Sequence, residues 1–255
     1  MKTNKIVLLA LALTATVFGI SAFKSNKKEV KAPANGFALI ELFTSEGCSS
    51  CPSADELVAR IQKEDKDKAV YILAYHVDYW NHLGWKDQFS SAQYSERQRQ
   101  YASWLRLSSV YTPQIVVNGK KEFVGSEEST LRAAIQSGLQ KGANNELSLT
   151  NVRIDHEQLN VQYQTKEINN EALLVAFVQR AASTQVKGGE NGGRTLAHIN
   201  IVKALSTIAI HQASGNALVK LPQGYNQQSW DIVGFVQNTA TGEVLSAQKI
   251  TVPGV

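Results

Sequence analysis

The chain contains two cysteines, and they stand three apart in the run Gly47-Cys48-Ser49-Ser50-Cys51-Pro52. A structural bridge at this spacing would gain little, because a cystine stabilises mainly by restricting the unfolded chain and a loop of two residues restricts very little. Reactivity is the better use of the pair. A thiol at the N-terminus of a helix meets unpaired backbone N–H groups and the helix dipole, which favour the thiolate and lower the pKa from ~8.5 toward ~3.5–7.5. Cys48 is then the attacking sulfur. Cys51, expected one turn inside the helix, would return to resolve a mixed disulfide. Ser49 and Ser50 bring no positive charge and Glu46 opposes the thiolate, so no extreme oxidant is expected.

The elements that must position this pair are legible from patterning. Residues 37–44 are apolar, β-branched and aromatic and end at Ser45-Glu46-Gly47, which reads as a buried strand and a tight loop. Pro52 suits a first helical turn, and Leu57, Val58 and Ile61 recur at helical spacing to about Glu64. A second strand covers 70–77. An aromatic loop, 78–85, leads into a glutamine- and arginine-rich stretch, 88–107, of helical composition. Thr112-Pro113 precedes a hairpin whose strands, 114–117 and 122–124, are joined through Asn118-Gly119, and Ser126 is expected to cap a helix over 127–140. Beyond residue 144 the pattern changes to short alternating runs with turn signals between them, as in an antiparallel sandwich.

This order of strand, Cys-x-x-Cys helix, strand, helix, Thr-Pro, hairpin and helix resembles the thioredoxin family. The resemblance implies that Pro113 is cis, faces the cysteines and, with Thr112, positions an extended partner chain beside Cys48. More closely, Phe43-Thr44-Ser45-Glu46-Gly47-Cys48-Ser49-Ser50-Cys51-Pro52, His76-Val77-Asp78-Tyr79-Trp80-Asn81, Gly84-Trp85, Tyr111-Thr112-Pro113-Gln114 and the glycine-rich run 188–196 are similar to a family of exported, thioredoxin-like bacterial proteins known chiefly as a domain of unknown function. The expected fold class is α/β: a thioredoxin-like domain with a helical insert over 36–143, followed by a smaller all-β, sandwich-like domain over 146–255.

Other residues are candidates by position. His76 and Asp78 end the second strand and could relay protons or support the site, the alternative being a hydrogen-bonded pair that anchors the aromatic loop. Glu41 lies near where thioredoxins keep a buried acid, but one residue out of step, and strand alternation would turn it to the opposite face as a salt-bridged or exposed group. Tyr79, Trp80 and Trp85 would either wall the cysteines and bind substrate or fill space behind them. The loop 188–193 lacks the strand-to-helix setting of a phosphate cradle and is expected to make a domain contact through Glu190 and Arg194, folded over the redox face. His156, His198 and His211 are scattered singly and read as structural.

Lys2 and Lys5 precede an apolar stretch to Phe23, an export signal that, if retained, would anchor the chain in the inner membrane. Residues 24–35 read as a lysine-rich linker. Two of the 26 Lys and Arg residues lie in the first 23, leaving 24 basic against 22 acidic side chains, a balance with no nucleic-acid footprint. The sequence thus points to a periplasmic or secreted thiol–disulfide oxidoreductase acting on protein thiols or disulfides, with no organic cofactor implied. Two alternatives stand beside it: a Cu(I)- or Zn-binding protein using the cysteines with His76, and a non-catalytic scaffold for a partner.

Overall fold

The computed structural model describes residues 36–141, 146–166 and 170–253. The expected export signal or anchor over 1–23, the linker over 24–35 and the boundary near residue 144 lie outside the described residues. Among the described residues no helix is long and apolar enough to cross a membrane.

The first half runs β1 (Ala38–Thr44), α1 (Cys51–Glu64), β2 (Val70–His76), α2 (Ala92–Leu105), β3 (Gln114–Val117), β4 (Lys121–Val124) and α3 (Glu128–Gln140), the order expected from patterning. β1 pairs parallel with β2 and antiparallel with β3, which pairs antiparallel with β4. β1 is buried along its whole length, and its alternation divides the core. Ile40 and Leu42 pack under α1 and α3 with Leu57, Val58, Ile61, Leu131 and Ile135. Leu39 and Phe43 face the other way, onto Tyr75 of β2 and Tyr94 and Tyr101 of α2. Asn118 and Gly119 turn the β3–β4 hairpin with φ of 50° and 66°, the left-handed pair such a turn needs. α3 starts from Glu127 with no side-chain cap, so the expected Ser126 cap does not form.

The second half runs β5 (Ser148–Asp155), β6 (Gln158–Gln164), β7 (Glu171–Gln185), β8 (Thr195–Ala209), β9 (Ser214–Lys220), β10 (Trp230–Asn238) and β11 (Val244–Ile250). Its strands do not close into a separate domain. An eight-stranded sheet is ordered β11-β10-β7-β8-β2-β1-β3-β4, so strands from both sides of residue 144 share one sheet, with β2 meeting β8 at Ala74 and Ile201. The expected second layer exists as the three-stranded sheet β5-β6-β9. Alternation along β7 explains both contacts: Leu173, Val175 and Phe177 pack on Leu159, Val161 and Val219 of the small sheet, whereas Ala172, Leu174 and Ala176 extend the core beneath α2. The fold is therefore a mixed α/β arrangement built on one large, mostly stranded sheet. The sequence-based division fails because β7 is buried on both faces, which alternation within a single strand does not reveal.

β7 and β8 are each 15 residues long and pair almost throughout, down to Gln185 with Thr195. Their far end is an arm that reaches the turn holding the cysteines.

Candidate functional site

Cys48 and Cys51 are joined as a disulfide with Cα atoms 5.4 Å apart. Both are buried, Cys48 at 1% and Cys51 at 0% exposure, while Ser49 and Ser50 between them are exposed. Cys51 is the first residue of α1 rather than one turn inside it, and Cys48 precedes the Ser50 N-cap. The connecting turn is held by Cys48 N–H donating to the Ser45 carbonyl and Cys51 N–H to the Cys48 carbonyl, each at 3.2 Å. The Thr112–Pro113 peptide is cis. Pro113 borders the first turns of α1, since a Cβ on Gly125 would lie 3.0 Å from the Cβ atoms of both Pro113 and Ala54.

Two of the three expected aromatic residues line the turn. The Trp80 indole N–H donates to Thr112 Oγ1 at 2.8 Å, and a Cβ on Gly47 would lie 3.1 Å from the Trp80 Cβ. Trp80 thus bridges the cysteine turn and the Thr-Pro segment. The Trp85 indole N–H donates to Glu46 Oε2 at 2.8 Å. Tyr79 belongs elsewhere: its hydroxyl donates to Gln98 Oε1 on α2, at 3.1 Å.

Beneath the turn lies a buried set of acids and imidazoles. Thr44, on the α1 face of β1, donates to Asp55 Oδ2 at 3.4 Å. Asp55 is four residues beyond Cys51, hence on the same helical face, with Cβ atoms ~5–6 Å apart. His198 of β8 stands between two carboxylates, its Nδ1 3.5 Å from Asp55 Oδ2 and its Nε2 3.4 Å from Glu46 Oε1. His76 of β2 meets the His198 ring edge-on, centroids 4.9 Å apart, and its Nδ1 lies 2.6 Å from Asp87 Oδ2. Glu46 N–H also donates to that oxygen, at 2.9 Å, and Phe89 N–H donates to Asp87 Oδ1 at 2.8 Å. Glu46, Asp55, His76, Asp87 and His198 are all buried.

Charge in this set follows from competing effects. Burial pushes His198 down, but contact with Asp55 and Glu46 more than reverses this and holds its pKa at about 9. Neither His198 nitrogen makes a hydrogen bond, so the two carboxylates act on it as nearby charges. Burial raises Asp87, but the adjacent His76 and the two backbone N–H groups hold it below the usual carboxylate range. His76 Nε2, on the other side of the ring from Asp87, makes no hydrogen bond. The arrangement places a buried imidazole between one carboxylate of the cysteine turn and one of α1.

Two expected supporting residues lie away from the sulfurs. Glu41 is on the opposite face of β1, where it pairs with Arg97 of α2, Nη2 to Oε1 at 2.9 Å, and accepts from the Tyr101 hydroxyl. Strand alternation is the reason. Asp78 closes a reciprocal bond with Ser95 of α2, its N–H donating to Ser95 Oγ at 3.0 Å while that hydroxyl donates back to Asp78 Oδ1. It anchors the aromatic loop. His76 is committed to Asp87, and among the described residues no group of three or more His, Cys, Asp and Glu side chains is arranged to hold a metal ion.

Sequence reasoning missed His198, Asp55 and Asp87. His198 was readable only as one histidine in a strand, because the chain path that brings β8 beside α1 is not a local property. Asp55 carried a signal, since an acid four residues after Cys51 on an apolar helical face has to be buried with it. The loop 188–193 does fold over the turn: Glu190 Oε2 accepts from Ser49 N–H at 2.9 Å, and Arg194 Nη1 donates to Asn191 Oδ1 at 2.7 Å. Asn191, not singled out from sequence, donates to the carbonyls of Glu46 and Cys48, each at 2.9 Å.

No curated protein matches the chain. Among solved structures, a protein from Agrobacterium tumefaciens is 28% identical, with a TM-score of 0.65 over 84% of this chain and 93% of that one. A domain of the outer membrane lipoprotein Omp28 from Porphyromonas gingivalis is 14% identical, with a TM-score of 0.23 over 43% of this chain and 88% of that one. The family model for "Protein of unknown function (DUF1223)" matches residues 39–237, which takes in the cysteine turn, both buried histidines and the Asn191 loop, and the chain belongs to that family.

Proposed function

We propose that this chain is an exported thiol–disulfide oxidoreductase of thioredoxin-like architecture that exchanges disulfides with protein thiols through Cys48 and Cys51. The observation that carries the reading is the placement of the disulfide at the start of α1, next to a buried histidine that stands between two carboxylates. Five buried ionisable side chains are costly to fold around, and a purely structural cystine has no use for them. The architecture is supported by the element order of the first half, by the sheet order β2-β1-β3-β4 and by the packing of α1 and α3 against one face and α2 against the other. Export is supported by the lysine-led apolar N-terminal stretch, which would deliver the protein to a compartment where disulfides persist.

In the exchange, a partner thiolate attacks Cys48 Sγ. The S–S bond breaks, its electron pair leaves on Cys51 Sγ, and that sulfur takes a proton from the His198–Asp55 set. A second partner thiolate then attacks the partner's sulfur in the mixed disulfide and releases Cys48. The partner has lost two electrons and the cysteine pair has gained them; the reverse sequence reduces a partner disulfide.

The test is the reduction potential of the pair, by equilibration with glutathione and thiol trapping. A value within ~−270 to −120 mV supports a working exchange site, and a value below ~−300 mV describes a bridge that is hardly ever opened and overturns the reading.

A further inference from the structure

We infer that the tip of the β7–β8 arm, residues 187–194, is a latch over the Cys48–Cys51 pair that a partner chain has to displace before exchange begins. The inference rests on the exchange reading of the site and adds what controls access to it.

Thiol–disulfide exchange needs an incoming sulfur to approach along the axis of the bond it breaks, so it depends on access to the attacked sulfur. Cys48 has almost none at 1% exposure, although the residues on its C-terminal side are exposed. The arm tip is bound directly to the backbone of this turn. Glu190 takes the Ser49 N–H, and Asn191, itself fully buried, spans the Glu46 and Cys48 carbonyls. Arg194 holds the Asn191 carboxamide from behind, which fixes its amide end toward the turn.

The construction of the tip suits release. It is closed at its base by two bonds, Val186 N–H to the Arg194 carbonyl at 2.9 Å and Gly193 N–H to the Val186 carbonyl at 2.8 Å, so it moves as a hairpin end without unpairing β7 from β8. Four of its residues are glycines, and Glu190 is exposed. Its glycines pack closely on the aromatic loop: a Cβ on Gly188 would lie 2.5 Å from the Gly84 carbonyl oxygen, and one on Gly189 would lie 3.1 Å from the Trp85 Cβ. The bonds it makes to the turn use backbone groups, which an extended partner chain can satisfy in its place.

The experiment compares the oxidised parent with two variants that loosen the latch by different means, Glu190→Ala with Asn191→Ala, and separately Gly188→Ala, whose new Cβ wedges the tip away from Gly84. Each is reduced with dithiothreitol and, in a second assay, set to oxidise reduced, unfolded lysozyme; far-UV circular dichroism confirms the fold. A latch predicts a rate increase of tenfold or more in both variants, larger with the protein substrate than with dithiothreitol, while the equilibrium constant with glutathione changes less than threefold. Rates within twofold of the parent in both folded variants overturn the latch, whatever the potential. If the variants are faster but the pair resists glutathione at equilibrium, the latch stands and the exchange reading falls. If one variant misfolds, the other decides.

Discussion

The imidazole of His198 lies between the carboxylates of Asp55 and Glu46, 3.5 and 3.4 Å away, beneath the turn that holds the disulfide. Its folded pKa of about 9 stands above the unfolded 6.5, so the folded state binds the proton more tightly. A raised folded pKa contributes stability that is fully present below pH ~6.5 and is lost as pH rises through ~9. The shift corresponds to about 3 kcal/mol at most. Urea midpoints of the oxidised protein should fall between pH 6 and pH 9.5, and the fall should vanish in His198→Gln. Equal pH slopes in the two proteins would remove His198 as the titrating group.

The pair formed by Glu41 and Arg97 offers a contrast, since it is equally buried but sits on the other face of β1, with Tyr101 and Gln237 completing its hydrogen bonds. Arg97→Met leaves the Glu41 carboxylate buried without a counter-charge and should cost about 3–5 kcal/mol in urea unfolding. The double variant Glu41→Leu with Arg97→Met should cost less than the single one, because both charges are gone. Neither touches the sulfurs, so the reduction potential should stay within error of the parent. A double variant as unstable as Arg97→Met would mean that packing, not the unpaired charge, sets the cost.

How far the sequence reached can be judged on these same residues. Periodicity and turn chemistry placed β1, α1, β2, the β3–β4 hairpin and α3 within a few residues, because each is decided by local pattern: the Asn118-Gly119 turn and the Leu57, Val58, Ile61 stripe are sufficient in themselves. The turn, the Thr112–Pro113 segment and the contact through Glu190 were also legible. What was not legible depends on which strands become neighbours. His198 reads as an ordinary strand residue until β8 is laid beside α1, whereas strand parity alone already turns Glu41 to the face opposite Ile40 and Leu42. The joining of both halves through β2 and β8 rests on the pairing of Ala74 with Ile201, which no motif announces.

Gly125 tests the link between the Thr-Pro segment and α1. Its N–H donates to the Pro113 carbonyl at 2.9 Å, and a Cβ there would meet the Ala54 and Pro113 Cβ atoms at 3.0 Å and the Leu42 Cδ1 at 3.3 Å. Real Cβ contacts are rarely so close, so Gly125→Ala should push Pro113 away from α1 and destabilise the protein by about 1–3 kcal/mol. If Pro113 positions the partner, the variant should also slow oxidation of reduced, unfolded lysozyme more than it slows reduction by dithiothreitol, which needs no extended-chain docking. Equal slowing of both would assign Pro113 a packing role alone.

The assignment of attacker and resolver can be decided by trapping. Cys48 lies in the turn ahead of the helix, and Cys51 is the first residue of α1, with Ala54 and Asp55 buried behind it. In the exchange reading a partner sulfur attacks Cys48. In Cys51→Ala the mixed disulfide at Cys48 has no internal thiol to resolve it, so incubation with oxidised, unfolded lysozyme should accumulate a covalent complex visible on a non-reducing gel. In Cys48→Ala the remaining thiol is enclosed by the helix and the acids beneath it, and the complex should be at least tenfold scarcer. The proton set adds a second expectation: in Cys51→Ala the His198–Asp55 pair has no sulfur to serve, so adding His198→Gln should leave trapping at Cys48 unchanged, whereas His198→Gln in the protein with both cysteines should alter the pH profile of exchange. Trapping that favours Cys51 would reverse the roles of the two sulfurs and place the point of attack inside the helix.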